Sequence, residues 1–372
     1  MINATSIADL GAWLREAAWP LWLTHGVAAD GVGGLRGFVE QLDPATLTCR
    51  ANFRRLRVAA RQTYVFSQGF HDGLAGAEDA VALGIGFFAQ HAAQPDGGYA
   101  WRFDLNNRAI DTTRDLYDHA FVLLALTSAA GVFPREMMHD EARHLLRYLQ
   151  KTFVHPAGGY GESVPPSSPR RQNPHMHVLE SLLAACETFG DTAFLDAARP
   201  LVDLFADRFF VSDAGVIGEY FFDDLSPMRD EQGMLNFEPG HHCEWVWLLD
   251  WYQRYAGPDA RLAAISAQLM AAVDRCATPF GLPDAARHDG KITTPTYRLW
   301  PQTERLKAEL LRADTSDTLV ANAVAQLASW LHPNGLWDER RDARGTPMAG
   351  DVPASSLYHL TCAILTAEQI VA

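Results

Sequence analysis

The residues best suited to chemistry gather in two segments, Asn173-Pro174-His175-Met176-His177-Val178-Leu179-Glu180 and Glu238-Pro239-Gly240-His241-His242-Cys243-Glu244-Trp245. Each sets a histidine three residues ahead of a glutamate, His177 with Glu180 and His241 with Glu244, so that on a helix both side chains share one face. The prolines suit helix entry, and the free amides of a first turn favour a carboxylate or a substrate oxygen. A glutamate so placed holds an imidazole in one tautomer and raises its basicity. His359, after Ser355-Ser356-Leu357-Tyr358, supplies a further imidazole. Two imidazoles facing one pocket form an acid/base pair near neutral pH.

These histidines belong to a longer column. Arg61, His119, His177, His241, Pro301 and His359 follow one another at 58 to 64 residues, and Glu180, Glu244 and Glu304 stand three residues beyond the third, fourth and fifth members. A lone histidine near a helix start is usually a packing residue; convergence of several on one cavity is a functional signal. Arg61 is the one cation of the column, suited to an anionic intermediate oxygen or to an ion pair with a glutamate. Trp101, Tyr117, Trp245, Trp247, Trp300 and Tyr358 flank the same positions and suit either the core or the apolar face of a sugar ring. For His175 and His242, packing and direct contact stay equally open.

The elements that must position these groups are helical. Apolar residues recur at helical spacing, as in Phe121 to Leu126 and Leu182 to Ala185, with little sustained alternation. Glycine-centred turns punctuate them: Gly33-Gly34-Leu35, Gly97-Gly98-Tyr99, Gly158-Gly159-Tyr160, Gly215-Val216-Ile217, Gly281-Leu282-Pro283 and Gly335-Leu336-Trp337, at steps of 54 to 66 residues. Each step holds two helices and one long connection, and each glycine is expected to end a helix in a left-handed conformation. Six such hairpins predict an all-α fold, an (α/α)6 barrel in which residues 1–372 form one domain and the inner helices carry the column at their N-terminal ends.

Composition narrows the partners. Thirty-one Lys and Arg against 45 Asp and Glu give a formal charge of −14, which repels polyphosphate and offers no basic stripe for nucleic acid. The five cysteines are widely spaced without CxxC, which fits a reducing compartment, and no export signal or apolar span is read, so a cytoplasmic protein is expected. A homo-oligomer is left open. No GxSxG, Walker A or Rossmann glycine pattern is present, so neither a serine nucleophile nor a nucleotide cofactor is expected. HExxH is absent too; a metal held by His177, His241 and Glu244 is the reading that the residue types leave open.

Taken together, Trp19-Pro20-Leu21-Trp22, RVAARQTYVFS at 57–67, Tyr117-Asp118-His119-Ala120-Phe121, NPHMHVLE at 173–180, EPGHHCEW at 238–245, Trp300-Pro301-Gln302-Thr303-Glu304 and Ser355 to His359 resemble the N-acylglucosamine 2-epimerase superfamily. That group includes cellobiose 2-epimerases and mannose and sulfoquinovose isomerases, and the likeness runs through nearly the whole chain. It implies the same barrel and proton abstraction beside an open-chain sugar carbonyl through an enediol(ate), with no catalytic metal or other cofactor. It further implies that His241 and His359 are the acid/base pair and that His177, Glu244 and Arg61 support them. Tyr117, His119, Asn173, Glu180, Trp245, Trp300 and Glu304 are expected around the sugar. RVAARQTYVFS and GHHxEWxWLL look closer to the mannose isomerase branch, so an aldose–ketose isomerase of a neutral monosaccharide, mannose to fructose, is expected. A 2-epimerase and an (α/α)6-barrel glycoside hydrolase are the alternatives.

Overall fold

A computed structural model describes residues 1–2, 4–28 and 36–372. The turn at Gly33-Gly34-Leu35 lies outside the described residues. The chain alternates outer and inner helices. α1 (Ile7–Trp13) and α2 (Trp19–His25), joined through a π turn at Leu14–Ala18, make the first outer rod, and α3 (Leu56–His71) the first inner one. Then follow α4 (Ala77–Phe87), α5 (Leu116–Ser128), α6 (Arg135–Thr152), α7 (Gln172–Phe189), α8 (Thr192–Leu204), α9 (Pro239–Ala256), α10 (Ala260–Cys276), α11 (Trp300–Leu311), α12 (Asp317–Ala328) and α13 (Ser355–Val371). The inner helices α3, α5, α7, α9, α11 and α13 pack in that order, and α13 packs back on α3. This closed ring, with an outer helix against each inner one, is an (α/α)6 barrel.

Sequence dictates which helix lies where. In α5 every residue from Asp118 to Thr127 is buried, as an inner helix with neighbours all round requires. In α6 only one stripe is buried, Met138, Ala142, Leu145, Leu146 and Leu149 among it, and the rest of that outer helix is polar. Pro239 and Pro301 occupy the first turns of α9 and α11, where a missing N–H costs nothing.

Closure is also written in backbone hydrogen bonds. The strand ahead of each inner helix pairs, antiparallel, with a strand of the next unit: Arg54–Arg55 with Arg102–Phe103, Arg114–Asp115 with Ser163–Val164, and Arg170–Arg171 with Tyr220–Phe221. Asn236–Phe237 pairs likewise with Ala285–Arg287, and Tyr297–Arg298 with Arg340–Arg341. Val352–Pro353 of the last unit closes on Gln41–Leu42 of the first. These six ladders fix the N-terminal ends of the inner helices around one mouth.

The turn glycines have the expected left-handed backbone, φ +95° at Gly97, +99° at Gly158 and +117° at Gly281 among them. Their place corrects the expectation that they end a helix. Gly97 lies in a small hairpin beyond the helix, closed by pairing of Ala93 with Tyr99, and Gly158 lies in the same hairpin between Val154 and Tyr160. A Cβ on neighbouring Gly159 would stand 2.7 Å from Nε2 of His175, so the close approach of the hairpin to the inner helix also demands glycine.

Candidate active site

What that approach achieves is repeated round the ring. The Tyr99 N–H donates to Nε2 of His119 at 3.0 Å, that of Tyr160 to Nε2 of His175 at 2.9 Å, and that of Ile217 to Nε2 of His242 at 3.1 Å. On the other ring edge, Nδ1 of His119 and of His175 bonds the carbonyl four residues back, Asp115 at 2.7 Å and Arg171 at 3.0 Å. In α11 the amide of Gln302 does both jobs, accepting from Leu282 N–H at 2.9 Å and donating to Arg298 O at 3.0 Å. Burial pushes His119 and His175 down to about 4 and His242 to about 3, so each is a neutral ring pinning hairpin to helix.

His119 is therefore misplaced as a sugar contact: both of its nitrogens are taken by backbone. Its structural equivalents are His175 and His242, and the column that joined it to His177 and His241 mixed two registers. Trp245 is corrected too. Its indole is fully buried, stacked on Phe205 at 3.9 Å and donating to Gln172 Oε1 at 2.7 Å, so it supports the amide behind Glu219 and presents no face to a sugar.

The remaining predicted residues converge beneath the mouth. On α9 and α13, His241 and His359 flank the Trp300 ring at centroid distances of 4.9 and 5.7 Å. Nδ1 of His241 lies 2.8 Å from Glu219 Oε2, and Nδ1 of His359 lies 3.0 Å from Glu304 Oε1. A carboxylate only accepts, so Nδ1 carries a proton in both rings and Nε2 is the working edge. From α7, His177 bonds Glu180 Oε2 through Nδ1 at 2.9 Å and meets Tyr117 edge-on at 4.9 Å. The other Glu180 oxygen accepts from the Tyr358 hydroxyl. Glu180 thus supports His177 and Tyr358 within the protein, where a sugar contact was expected.

Arg61, 6% exposed, lies 4.2 Å over Phe121 and 5.0 Å over Tyr358, and its Nη2 donates to the Tyr117 hydroxyl at 2.5 Å. No carboxylate pairs with it among the described residues, and its Nε is buried without a partner. This leaves a desolvated cation able to receive an oxyanion.

The two flanking imidazoles are held in opposite states. Burial alone would lower His241, but Glu219 at Nδ1 and the nearby Glu238 outweigh it and raise it to about 9. Burial drives His359 down to about 4; its bond to Glu304 opposes this, and Arg61 reinforces it. Burial would raise Glu304, yet the Lys307 ammonium 2.7 Å away and the His359 ring bring it to about 2. Glu244, 1% exposed and without a hydrogen-bond partner, is pushed well above the carboxylate range by burial and by Glu304, which favours its protonated form. Asn173 places Nδ2 3.1 Å from His241 Nε2 and leaves Oδ1 buried and unpartnered. Turning that amide over sets its oxygen against the Nε2–H of the charged ring.

Donor atoms of His177, Glu180 and Glu244, and of Glu244, Glu304 and His359, come within 4.8 Å of one another, the spacing a metal ion would need. Several of these atoms already serve His177, Tyr358 and Lys307, and the ammonium on Glu304 holds the position that a cation on that carboxylate would take.

The family model described as N-acylglucosamine 2-epimerase (GlcNAc 2-epimerase) matches residues 37–363, which include every site residue named above. The chain belongs to the N-acylglucosamine 2-epimerase family. A curated relative named mannose-6-phosphate isomerase, from Rhizobium meliloti (strain 1021), is 35% identical over 97% of this chain and 96% of its own. Among solved structures, a D-mannose isomerase superposes with TM-score 0.87 at 22% identity over 99% of both chains. The cellobiose 2-epimerase of Bacillus thermoamylovorans B4167 does so with 0.85 at 18% identity over 98% of this chain and 99% of that one.

For this member of the N-acylglucosamine 2-epimerase family, sequence reasoning missed Glu219, Gln172 and Lys307. Glu219 had a legible signal: it stands four residues after turn glycine Gly215, as Glu162 stands four after Gly158. Glu162 uses its carboxylate to hold the N–H and guanidinium of Arg171 at the start of the next inner strand-helix joint. Glu219 does the same with the Glu238 N–H at 2.9 Å and spends its other oxygen on His241. Lys307 had no such signal, because a helical lysine is ordinarily solvated.

Proposed function

We propose that the protein is an aldose–ketose isomerase of a monosaccharide, mannose and fructose in the first instance. The observation that carries this reading is the pair His241 and His359, both against Trp300, one charged and one neutral, together with Arg61, which has no carboxylate partner among the described residues. The Trp300 face suits the C–H surface of a sugar. The His241 cation gives its Nε2 proton to the ring oxygen as the C1–O5 bond breaks, and the freed Nε2 takes the anomeric O1 proton, which leaves the open-chain aldehyde and restores the cation. Nε2 of neutral His359 then takes the C2 proton, the C2–H electron pair forms the C1–C2 double bond, and the carbonyl pair moves to O1. Arg61 balances the charge on that oxygen. His177 was expected to share this task; neutral, with Nδ1–H on Glu180, its Nε2 is instead an acceptor for a sugar hydroxyl. Return of the proton from His359 to C1, with O1 taking the Nε2 proton of His241 and the O2 proton passing back to that nitrogen as the C2 carbonyl forms, gives the ketose. Each positioned transfer is worth on the order of 10²–10⁴ in rate.

A second reading, a phosphorylated hexose as substrate, is favoured by the name of the 35% identical relative. A 2-epimerase differs only in returning the proton to the other face of C2. One experiment separates the three: mannose and mannose 6-phosphate are each incubated with the protein in D2O and followed by NMR. Deuterium at C1 of fructose supports the first reading, ketose from the phosphate ester alone the second, and deuterium at C2 of glucose the epimerase.

A further inference from the structure

We propose that Lys307 is the positioning residue that gives the two imidazoles separate tasks, keeping His359 the neutral base while His241 remains the charged acid. The inference rests on the reading above in taking both histidines to act on the substrate; the electrostatic division itself stands on the structure.

The two sites look alike at first. Each imidazole bonds a buried carboxylate through Nδ1, at 2.8 Å for His241 and Glu219 and at 3.0 Å for His359 and Glu304. They differ in what else the carboxylate touches. Among the described residues, the donors that Glu219 takes besides His241 are neutral, the Glu238 N–H at 2.9 Å and the Gln172 amide at 3.0 Å. Its whole charge is left to hold a proton on His241. The second oxygen of Glu304 lies 2.7 Å from the Lys307 ammonium, which is 1% exposed, 3.3 Å over the Trp247 ring and 3.7 Å from Cys362 Sγ. An ion pair already complete gives His359 no net negative charge to lean on.

The other groups around His359 do not reverse this. Arg61 on α3 and His177 on α7 work against a charged His359. Glu180 on α7 is bonded to His177 and Tyr358, burial raises Glu244 on α9 and so weakens its charge, and Tyr358 precedes His359 on its own helix. Glu339, ahead of the last unit's strand, bonds Ser356 and is itself raised to about 7 by burial. Without Lys307, Glu304 and His359 would form the same carboxylate–imidazolium pair as Glu219 and His241, and the site would hold two acids and no base.

The test is Lys307→Met, which keeps an unbranched apolar stem and removes the ammonium. The acidic limb of kcat/KM should move up by about two to three pH units, a loss of about tenfold at pH 5.5 that narrows towards pH 8, with the alkaline limb in place. Lys307→Arg should keep the wild-type limb. An equal loss at every pH, with both limbs unmoved, would overturn the proposal and leave Lys307 a packing residue. The NMR titration of the His359 Cε1–H, followed without substrate, should shift the same way; it tests Lys307 even if turnover of the sugars above fails. Should Lys307→Met not fold, Lys307→Ala can be probed with ethylammonium. A cavity of about 300 Å³ opens at the C-terminal ends of the inner helices and reaches Glu180, Trp247 and Cys362, so it leads to two of the groups that touch Lys307. Recovery of the acidic limb with ethylammonium and not with ethanol supports the proposal; an equal response to both refutes it.

Discussion

Glu219 Oε2 stands 2.8 Å from His241 Nδ1, although the two residues lie far apart in the chain, Glu219 in the bend between strands Val216–Ile217 and Tyr220–Phe221 and His241 in the first turn of α9. The contact links the ring of ladders that closes the barrel to the protonation of one imidazole. Glu219→Gln keeps the shape and removes the charge that outweighs burial at His241. His241 should then lose its proton at lower pH, because burial is no longer opposed at Nδ1. The alkaline limb of activity should fall by about one pH unit or more, with the acidic limb unmoved. A pH–rate profile of the variant decides this, and an unmoved alkaline limb would show that His241 is not the group titrating there.

Glu244 and Glu304 are both buried glutamates of the same cluster, yet opposite responses to the same substitution are expected. Burial favours the protonated form of Glu244, so Glu244→Gln, which replaces a carboxylic acid with an amide of the same shape, should alter stability by less than about 1 kcal/mol. Glu304→Gln strands the buried Lys307 ammonium and should cost about 3–5 kcal/mol. Urea unfolding of both variants at pH 7 measures the difference; equal losses would mean that Glu244 is ionised after all.

Those contrasts mark where sequence legibility stops. The six-unit plan was readable because glycine turns and helical apolar spacing repeat, and the HxxE segments pointed to helix starts that do meet at one mouth. The register within the column was not readable. Connections between the paired strands of a unit differ in length, short between Val164 and Arg170 and long between Phe221 and Asn236, so equal residue spacing does not mean equal height on the inner helix. His119 therefore matched His177 in the count while lying level with His175 in space. Gln302 taking the part of a histidine hid the same pinning role in α11. Lys307 was invisible for another reason: only the ring places its helix face against Glu304, Trp247 and Cys362 at once.

The pinning role of His119 makes its own prediction. His119→Ala leaves the Tyr99 N–H and the space of a buried ring unfilled, at a cost of about 1–3 kcal/mol for the lost acceptor with a cavity contribution on top. His119→Gln should recover much of this, since Gln302 makes the equivalent bonds in α11. Where the barrel stays folded, kcat should change little in either variant. A large loss of kcat in folded His119→Gln would return His119 to the substrate pocket.

Acid should weaken the fold through its buried histidines. His119, His175 and His359 sit near 4 and His242 near 3, all depressed by burial from the usual 6.5. In the unfolded chain these rings take protons as pH falls below about 6.5, while in the folded chain they stay neutral to about 4. The unfolded state thus binds more protons across that window, and stability must rise with pH there and fall as pH drops through it. The slope approaches about 1.4 kcal/mol per pH unit for each such histidine once its unfolded form is fully charged. His241 runs the other way. Its proton is held up to about 9, so its contribution is fully present below about 6.5 and is lost as pH rises from there through 9, when the folded ring also discharges. His177, also depressed by burial, adds to the acid-side slope, while Asp118 and Glu339, raised to about 7 by burial, oppose it, and His241 sets a decline on the alkaline side. Urea midpoints from pH 5 to 9 would check this, and His119→Gln should soften the acid slope because one of the depressed rings is gone.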